Sequence, residues 1–332
     1  MNSFGRSFRL AILGESHGPC VGILLDGCPA GLALEPADFA ADMERRRGGG
    51  APGTTPRRED DLPVFQTGVH QGRTTGAPIL ITFENRQVDS SAYEAIKHTP
   101  RPGHADWVAL HKYGGFADMR GSGHFSGRLT VALVAAGVVA KKLLSPVQVA
   151  ARLLEAGGSA DIERAVREAM AAEDSVGGLV ECRVADLPAG LGEPFFDSVE
   201  SLVAHAVFAI PAIKGIEFGD GFQACRRRGS EVNDLLEDAA GRTGTNHAGG
   251  INGGISNGNE LLFRVAVKPT SSIRAPQRTV DLQTNQPAVL SMGGRHDACI
   301  ALRAPVVVEA VTAAVLADLM LLEGLLPRIM SQ

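Results

Sequence analysis

Gly14-Glu15-Ser16-His17-Gly18 sets a hydroxyl beside an imidazole in a turn bounded by glycines. The run satisfies G-x-S-x-G, the strand-to-helix elbow from which serine hydrolases present their nucleophile. That elbow needs a helix next, whereas Pro19 and the β-rich run CVGILL follow, so a serine hydrolase using Ser16 stands as an alternative only. Arg101-Pro102-Gly103-His104-Ala105-Asp106 delivers a histidine with a carboxylate two residues on. A histidine in such a turn can exchange protons near neutrality, although a plain surface turn has the same composition. RGSGHFSGRLT, from Arg120 to Thr130, leads into a long apolar run. Small residues at a helix start beside Arg120 and Arg128 make a sensible anion site. The run is neither GxGxxG nor GxxxxGK[ST], so nucleotide motifs lend it no support. From Thr245 to Gly258 five glycines interleave with small polar residues, a stretch that packs backbone on backbone or opens to a flat ligand. Lys268-Pro269-Thr270-Ser271-Ser272-Ile273 offers one cation and three hydroxyls, a set suited to phosphate. His296, Asp297 and Cys299 could suggest a metal, but their spacing fits no usual zinc pattern, and no metal is expected.

These segments need elements to hold them. Short apolar runs predict strands over residues 8–13, 21–25, 79–83, 178–184, 213–218 and 261–267. Pro36 opens a helix whose last turn carries Arg45, Arg46 and Arg47, where the helix dipole favours cations. Further helices are expected over 127–144, 146–156, 161–172, 199–208 and 305–322. The stretch GGGAPGTTPRRED has no periodicity and reads as a loop. Strands and helices interleave without strict alternation, and no dinucleotide fingerprint appears, so the expectation is one α+β domain over 1–332. Ala, Glu and Arg dominate a segment around 145–172, which reads as a structural helical insert.

Composition bounds the answer. The 332 residues are 44% hydrophobic and 21% charged, the proportions of a folded protein with material for a large core. Glycine is in surplus: 40 residues, about 12%, against a usual ~7%. No G-X-Y period accompanies it, so the surplus marks loops that need unusual backbone angles or let a ligand approach. Lys and Arg number 32 against 37 Asp and Glu, a net charge of −5 that argues against general affinity for nucleic acid or an anionic membrane. Local basic clusters at 45–47, 57–58 and 226–228 are dense enough to hold a polyanionic small molecule. Five cysteines form no CxxC pair, which fits a reducing cytoplasmic compartment. No basic segment followed by an apolar stretch opens the chain, and no run of ~18 apolar residues occurs, so neither export nor membrane insertion is expected.

Taken in order, the segments resemble chorismate synthase. GESHG, RRR followed by a glycine-rich loop ending in RRE, RPGHAD, an RG-x-G loop, AGGI-x-GGISNG, KPTSSI and GRHD recur in that family at nearly this spacing. The likeness spans essentially the whole chain, with the insert around 145–172 shortened. It implies a β-α-β sandwich of two antiparallel sheets covered by helices, assembled as a homotetramer. It also implies an anti 1,4-elimination of phosphate from 5-enolpyruvylshikimate 3-phosphate to give chorismate, dependent on reduced FMN without net redox change. Carried over by motif, His17 is the acid assisting phosphate departure, His104 the donor to reduced flavin near N1 and O2, and Asp297 the relay of the ring proton through flavin N5. The flavin is expected against Ser126, Ala212 and Gly253, with Lys268, Thr270, Ser271, Ser272 and Arg295 around its phosphate and ring edge. Arg46, Arg57, Arg120 and Arg128, with Arg295, are the candidates for the substrate's two carboxylates and phosphate, since guanidinium groups hold such anions by forked hydrogen bonds.

The chain departs from the family's usual RGGGRSSARET: His124 replaces an arginine, Phe125 a serine, Gly127 an alanine and Leu129 a glutamate. Pro52 stands where many members carry arginine, and Pro211 where some carry asparagine beside the flavin. A second alternative is therefore a diverged paralogue that binds flavin or a phosphorylated carboxylate with weak activity.

Overall fold

The computed structural model describes residues 2–94, 96–293 and 296–330. The N-terminal strands are β1 (Ser3–Phe4), β2 (Arg9–Gly14), β3 (Cys20–Asp26), β4 (Val64–Thr67), the short ribbon β5 (Val69–His70) and β6 (Arg73–Thr74), and β7 (Ile79–Glu84). β7 lies between β3 and β4, giving an antiparallel sheet in the order β1-β2-β3-β7-β4. Its inner face follows from strict alternation: Val21, Ile23 and Leu25 pair with Phe83, Ile81 and Ile79, and all six are fully buried.

A second antiparallel sheet, in the order β10-β13-β9-β8, is built from β8 (Gln148–Ala156), β9 (Gly178–Ala185), β10 (Ile213–Phe218) and β13 (Leu261–Val267). Leu261, Phe263 and Val265 pair there with Val184, Cys182 and Val180, again all fully buried. Two further ribbons join β11 (Ile251–Asn252) to β12 (Ile255–Ser256) and β14 (Gln277–Asp281) to β15 (Gln286–Leu290).

The helices are α1 (Ala40–Arg46), α2 (Ser91–Glu94), α3 (Asp106–Tyr113), α4 (Thr130–Leu144), α5 (Ile162–Ala171), α6 (Val199–Phe208), α7 (Gly229–Val232) and α8 (Ala304–Leu322). α4 packs on β2, β3 and β7, while α8 packs on β8 and β9, and the two helices pack on each other. The sandwich therefore has its two long helices between the sheets. Nearly every side chain of both is buried, as expected for helices that are apolar all round. By length and composition α8 could cross a bilayer, yet 83% of that apolar window is buried inside the protein. Gly137 permits the close crossing, because a Cβ there would overlap Ala310 of α8.

Two carboxylates interrupt α8, and both are satisfied. Glu309 accepts from Arg45 Nη2 at 2.6 Å, Lys141 Nζ at 2.7 Å and the Ala151 amide at 2.8 Å. Burial would raise its pKa, but Arg45 and Lys141 outweigh that and hold it low. Asp318 accepts the amides of Arg6, Ser7 and Phe8, which ties the start of the first sheet to the central helix.

The helix expected over 146–156 is a strand. Val149, Ala151 and Leu153 of β8 turn toward the core while Gln148, Ala150 and Arg152 are exposed, a period of two. Ala, Leu, Glu and Arg favour helix locally, but pairing with β9 supplies the fourth strand that covers α8, and tertiary packing wins over propensity. Only the second half of the supposed helical insert, α5, is helical.

Candidate active site

A cavity of about 600 Å³ opens where loops from both sheets meet the starts of the central helices. Its wall comes from the β2–β3 turn (Ser16, His17), the end of α1 and the loop after it (Arg46, Arg47, Arg57, Glu59), the turn before α3 (Arg101 to Ala105), the loop before α4, the link from α6 to β10, the end of β13, and the approach to α8. Among the described residues, eight Lys or Arg line it against three Asp or Glu, in a chain whose net charge is −5. The charge of this wall is the reverse of that of the molecule.

His17 is held from two sides. Its Nδ1 lies 2.8 Å from Ser90 Oγ, and its ring meets the edge of Tyr93 at 5.5 Å. Behind it, Gly121 adopts φ +60°, and a Cβ at that position would overlap the imidazole. The turn 121–123 is glycine-rich because the histidine ring lies directly on its backbone.

His104 belongs to a triad of side chains. Its Nδ1 is 2.7 Å from Asp106 Oδ1. Arg101 grips the same carboxylate through Nε at 2.7 Å and Nη2 at 2.6 Å, and donates also to Ser272 Oγ and Ser122 Oγ at 3.0 and 3.1 Å. Burial acts to raise the Asp106 pKa, but the bonds from Arg101 and His104 outweigh it and hold the carboxyl far below the usual range. An ionised Asp106 can only accept, so Nδ1 of His104 carries the proton and Nε2 is the nitrogen left for other work.

Arg46 and Arg128 share one buried carboxylate, Asp61. Arg46 Nη2 reaches Asp61 Oδ2 at 2.7 Å and Arg128 Nη1 bonds Oδ1, while Arg128 Nε donates to Asn85 Oδ1 at 2.9 Å. Burial pushes the Arg46 pKa down to about 10, with the Arg128 charge adding to the fall and Asp61 opposing it. Two guanidiniums on one carboxylate leave a net positive charge on the wall. Arg57 pairs with Glu59 at 2.7 Å and donates to Ser16 Oγ at 3.1 Å. Asp297 is clamped by Arg303 through both oxygens, at 3.0 and 2.6 Å, and accepts the Thr55 amide at 3.0 Å.

Among the described residues, Lys268 Nζ bonds only neutral oxygens, Gly103 O at 2.9 Å and Ser271 Oγ at 2.8 Å. Burial, then the charge of Lys214, lowers its pKa. Beside it Thr270 Oγ1 is buried and has no hydrogen-bond partner among the described residues.

Of the residues expected from the sequence, His17, His104, Asp297, Ser126, Ala212, Lys268, Thr270, Ser271, Ser272, Arg46, Arg57 and Arg128 all line this one cavity. Two do not. Arg120 turns outward, its side chain 51% exposed and paired with Asp118 at 2.7 Å. Gly253 sits at the β11–β12 turn, off the cavity wall, with open space where a Cβ would be. Arg295 lies outside the described residues. The hydrolase reading of Ser16 fails: its hydroxyl accepts from Arg57, β3 rather than a helix follows, and His17 faces Ser90.

Sequence reasoning passed over Arg101, Arg303, Lys214 and Asp61, and weighed His296 only as a metal ligand. Arg101 and His296 stood inside quoted motifs, but nothing local distinguishes an arginine that clamps a carboxylate from one in solvent. The departures in the 120–130 loop are accommodated here. His124 Nδ1 donates to Gly14 O at 2.9 Å, Phe125 leans on Tyr113 with ring centres 6.3 Å apart, and Leu129 is buried in the core. Pro211 is on the cavity wall.

Comparison with known proteins agrees with this architecture. The family model described as chorismate synthase matches residues 8–321. A chorismate synthase of Chitinophaga pinensis is 61% identical over 324 residues, covering 97% of each chain. One from Aeropyrum pernix is 47% identical over 360 residues, covering 98% of this chain and 94% of its own. A crystal structure of chorismate synthase superposes with a TM-score of 0.75 at 28% identity, covering 98% of this chain and 95% of the other. With a family match over nearly its whole length and a fold that superposes end to end, the chain belongs to the chorismate synthase family.

Proposed function

We propose that this chain eliminates phosphate from 5-enolpyruvylshikimate 3-phosphate to give chorismate, with reduced FMN as cofactor. The observation that carries the reading is the cation-rich wall with two histidines set in it, inside an otherwise acidic protein. A substrate with two carboxylates and a phosphate matches that wall, and a low-dielectric cleft strengthens each charged contact.

The residues present fit a phosphate-bearing cofactor. Thr270 Oγ1 is buried without a partner, and no carboxylate pairs with Lys214 or Lys268 among the described residues. An anionic phosphate would relieve the repulsion between those two lysines and satisfy the hydroxyl. When bound, reduced FMN supplies the electron-rich ring that makes the elimination feasible and is left unchanged overall. Arg46, Arg57 and Arg128 hold the anionic substrate, with Asp61 and Glu59 fixing their planes. His17, oriented by Ser90, Tyr93 and Gly121, donates a proton toward the departing phosphate. His104, with Nδ1–H given to Asp106, manages a proton at Nε2. Asp297, immobilised by Arg303, is the carboxylate that takes the proton released from the substrate ring.

A cytoplasmic location and a homotetramer belong to the same proposal. Five free cysteines suit a reducing compartment. Phe116, Phe195, Phe196, Phe222, Leu235 and Leu236 are each more than 70% exposed, a quantity of bare apolar side chain that suits burial between copies of the chain. An anaerobic assay with photoreduced FMN and 5-enolpyruvylshikimate 3-phosphate tests the activity. Phosphate release in step with chorismate absorbance is expected, and absence of both overturns the reading.

A further inference from the structure

The connection from β2 to β3, residues 15–19, carries His17 on a turn that the Gly18 amide closes onto Glu15 O at 3.1 Å. A turn this short needs outside partners for its remaining carbonyls, and three of them go to one residue, Asn85, which directly follows β7. The Asn85 side chain donates through Nδ2 to Glu15 O at 3.0 Å and to Gly18 O at 2.8 Å, the first and last residues of the turn. Its backbone amide donates to Pro19 O at 3.1 Å. That third bond only extends the β3–β7 ladder by one rung. The two side-chain bonds clasp the turn at both ends, with His17 between them.

The oxygen of the same amide faces Arg128. Asn85 Oδ1 accepts from Arg128 Nε at 2.9 Å, while Nη1 of that guanidinium bonds Asp61 and Nη2 donates to Glu84 O at 3.1 Å. Each nitrogen of the guanidinium is thus anchored, and Asn85 supplies one anchor of the three. The amide can serve both neighbours in one orientation only. Reversed, it would set its NH₂ against the Arg128 donor and its oxygen against two carbonyls. A carboxylate of the same shape lacks the two donors, and a methyl lacks all three side-chain bonds. His17 and Arg128 are both on the cavity wall, whereas Asn85 stands behind it.

We propose that Asn85 is a positioning residue that joins the His17 turn to Arg128 and so fixes the proton donor relative to the guanidinium that holds the substrate's anionic groups. This rests on the reading of His17 as the donor to the departing phosphate and of Arg128 as an anion holder. The spacing matters because a displacement near 1 Å of a catalytic group can cost ~10²-fold in rate. A residue that merely completed the sheet would lower turnover to the same degree whether or not His17 were present. One that works through His17 has nothing left to position once that ring is gone.

A double-mutant cycle of Asn85→Ala and His17→Ala is the test, read by kcat in the anaerobic assay with reduced FMN. Calorimetric binding of 5-enolpyruvylshikimate 3-phosphate to the same four proteins with oxidised FMN, where nothing turns over, reads substrate affinity. Asn85→Ala is expected to lower kcat at least ~10-fold in the parent but less than ~3-fold in the His17→Ala background. Its effect on affinity acts through Arg128, so binding is expected to weaken at least ~3-fold in both backgrounds, consistent with loss of one anchoring hydrogen bond. The kcat penalty thus vanishes with His17 while the affinity penalty stays. Losses in kcat that multiply, equal in the two backgrounds, overturn the inference, and so does an affinity that Asn85→Ala leaves unchanged. If Asn85→Ala fails to fold by circular dichroism, Asn85→Asp carries the kcat cycle with the same two outcomes, since it keeps the shape and the acceptor for Arg128 but cannot donate to Glu15 O and Gly18 O. A parent that makes no chorismate, or full activity in His17→Ala, overturns the functional reading and the inference with it. Multiplying losses in an active parent sink the role of Asn85 alone.

Discussion

His17 and His104 face the cavity by different means, and the difference governs what each substitution does. His17 is steadied by a neutral hydroxyl and an aromatic edge, whereas His104 is tied to an ionised carboxylate that Arg101 also holds. His17→Ala and His104→Ala are each expected to lower turnover ~10²-fold or more while leaving the thermal unfolding midpoint nearly unchanged; full activity in either removes that histidine from the mechanism. Asp106→Asn separates tautomer control from mere packing. The amide keeps the shape, but its NH₂ can donate to Nδ1 and drive the proton to Nε2. Turnover is expected to drop ~10²-fold with substrate KM little altered, and the pH–rate profile to change form. An unchanged pH–rate profile would show that Asp106 only fills space. At this scale the titratable residues were legible because His and Asp in short glycine-rich turns are chemically conspicuous. The arginines that hold them were not, since Arg101 and Arg303 take their meaning from partners that folding brings into reach.

The loop before α4 is the element on which the site depends most. Residues 121–123 all have positive φ, and the turn so formed carries Ser122 to Arg101 and lays Gly121 under the His17 ring. Gly121→Ala adds a methyl where that ring lies, in a backbone conformation that disfavours a side chain. Turnover is expected to fall at least ~10-fold because a displacement near 1 Å of a catalytic group can cost ~10²-fold. Kinetics of this variant equal to those of the parent would show that the ring can move without loss. The strand β8 teaches the opposite lesson about local signals. Its residues are good helix formers, and only the hydrogen bonds to β9 and the buried face against α8 make it extended. α4 and α8, by contrast, were legible end to end, since long apolar runs with few breakers leave little choice but a buried helix.

Across the whole molecule, buried charge links stability to pH. For His296 the folded pKa, about 4, lies below its ordinary value of 6.5, so the unfolded chain takes up the proton first as pH falls. Its contribution is complete above pH 6.5 and is lost between there and pH 4. Asp61, Glu59, Asp106 and Glu309 are all held below their usual values, and what they contribute is lost only at lower pH, as they protonate in the folded state. Stability is thus expected to be level near pH 7.5, lower by about 2 kcal/mol at pH 5, and to collapse below pH 4. Urea midpoints at pH 7.5 and 5 check this, with His296→Gln expected to remove most of the difference. Identical midpoints for the parent at both pH values would show that His296 titrates normally.

The amino-acid sequence by itself determined the periodicities, and through them most strands and helices and the α+β class, and it held the motifs that gather at the cavity; the two-sheet arrangement came only with the family resemblance those motifs carry. The sequence located the glycines too, because positive φ is a local demand that local chemistry must meet. Only the tertiary structure decided which charges meet. Asp61 joins Arg46 to Arg128, Arg101 joins Asp106 to Ser122 and Ser272, and Arg120, from the same loop as Arg128, points away. It likewise made a strand of 148–156, left Gly253 outside the cavity and buried His296 Nε2 without a partner among the described residues. The reason is physical. Backbone preference and side-chain period act over a few residues, whereas pairing, burial and the satisfaction of a lone pair depend on neighbours that the chain reaches only after the two sheets have closed on α4 and α8.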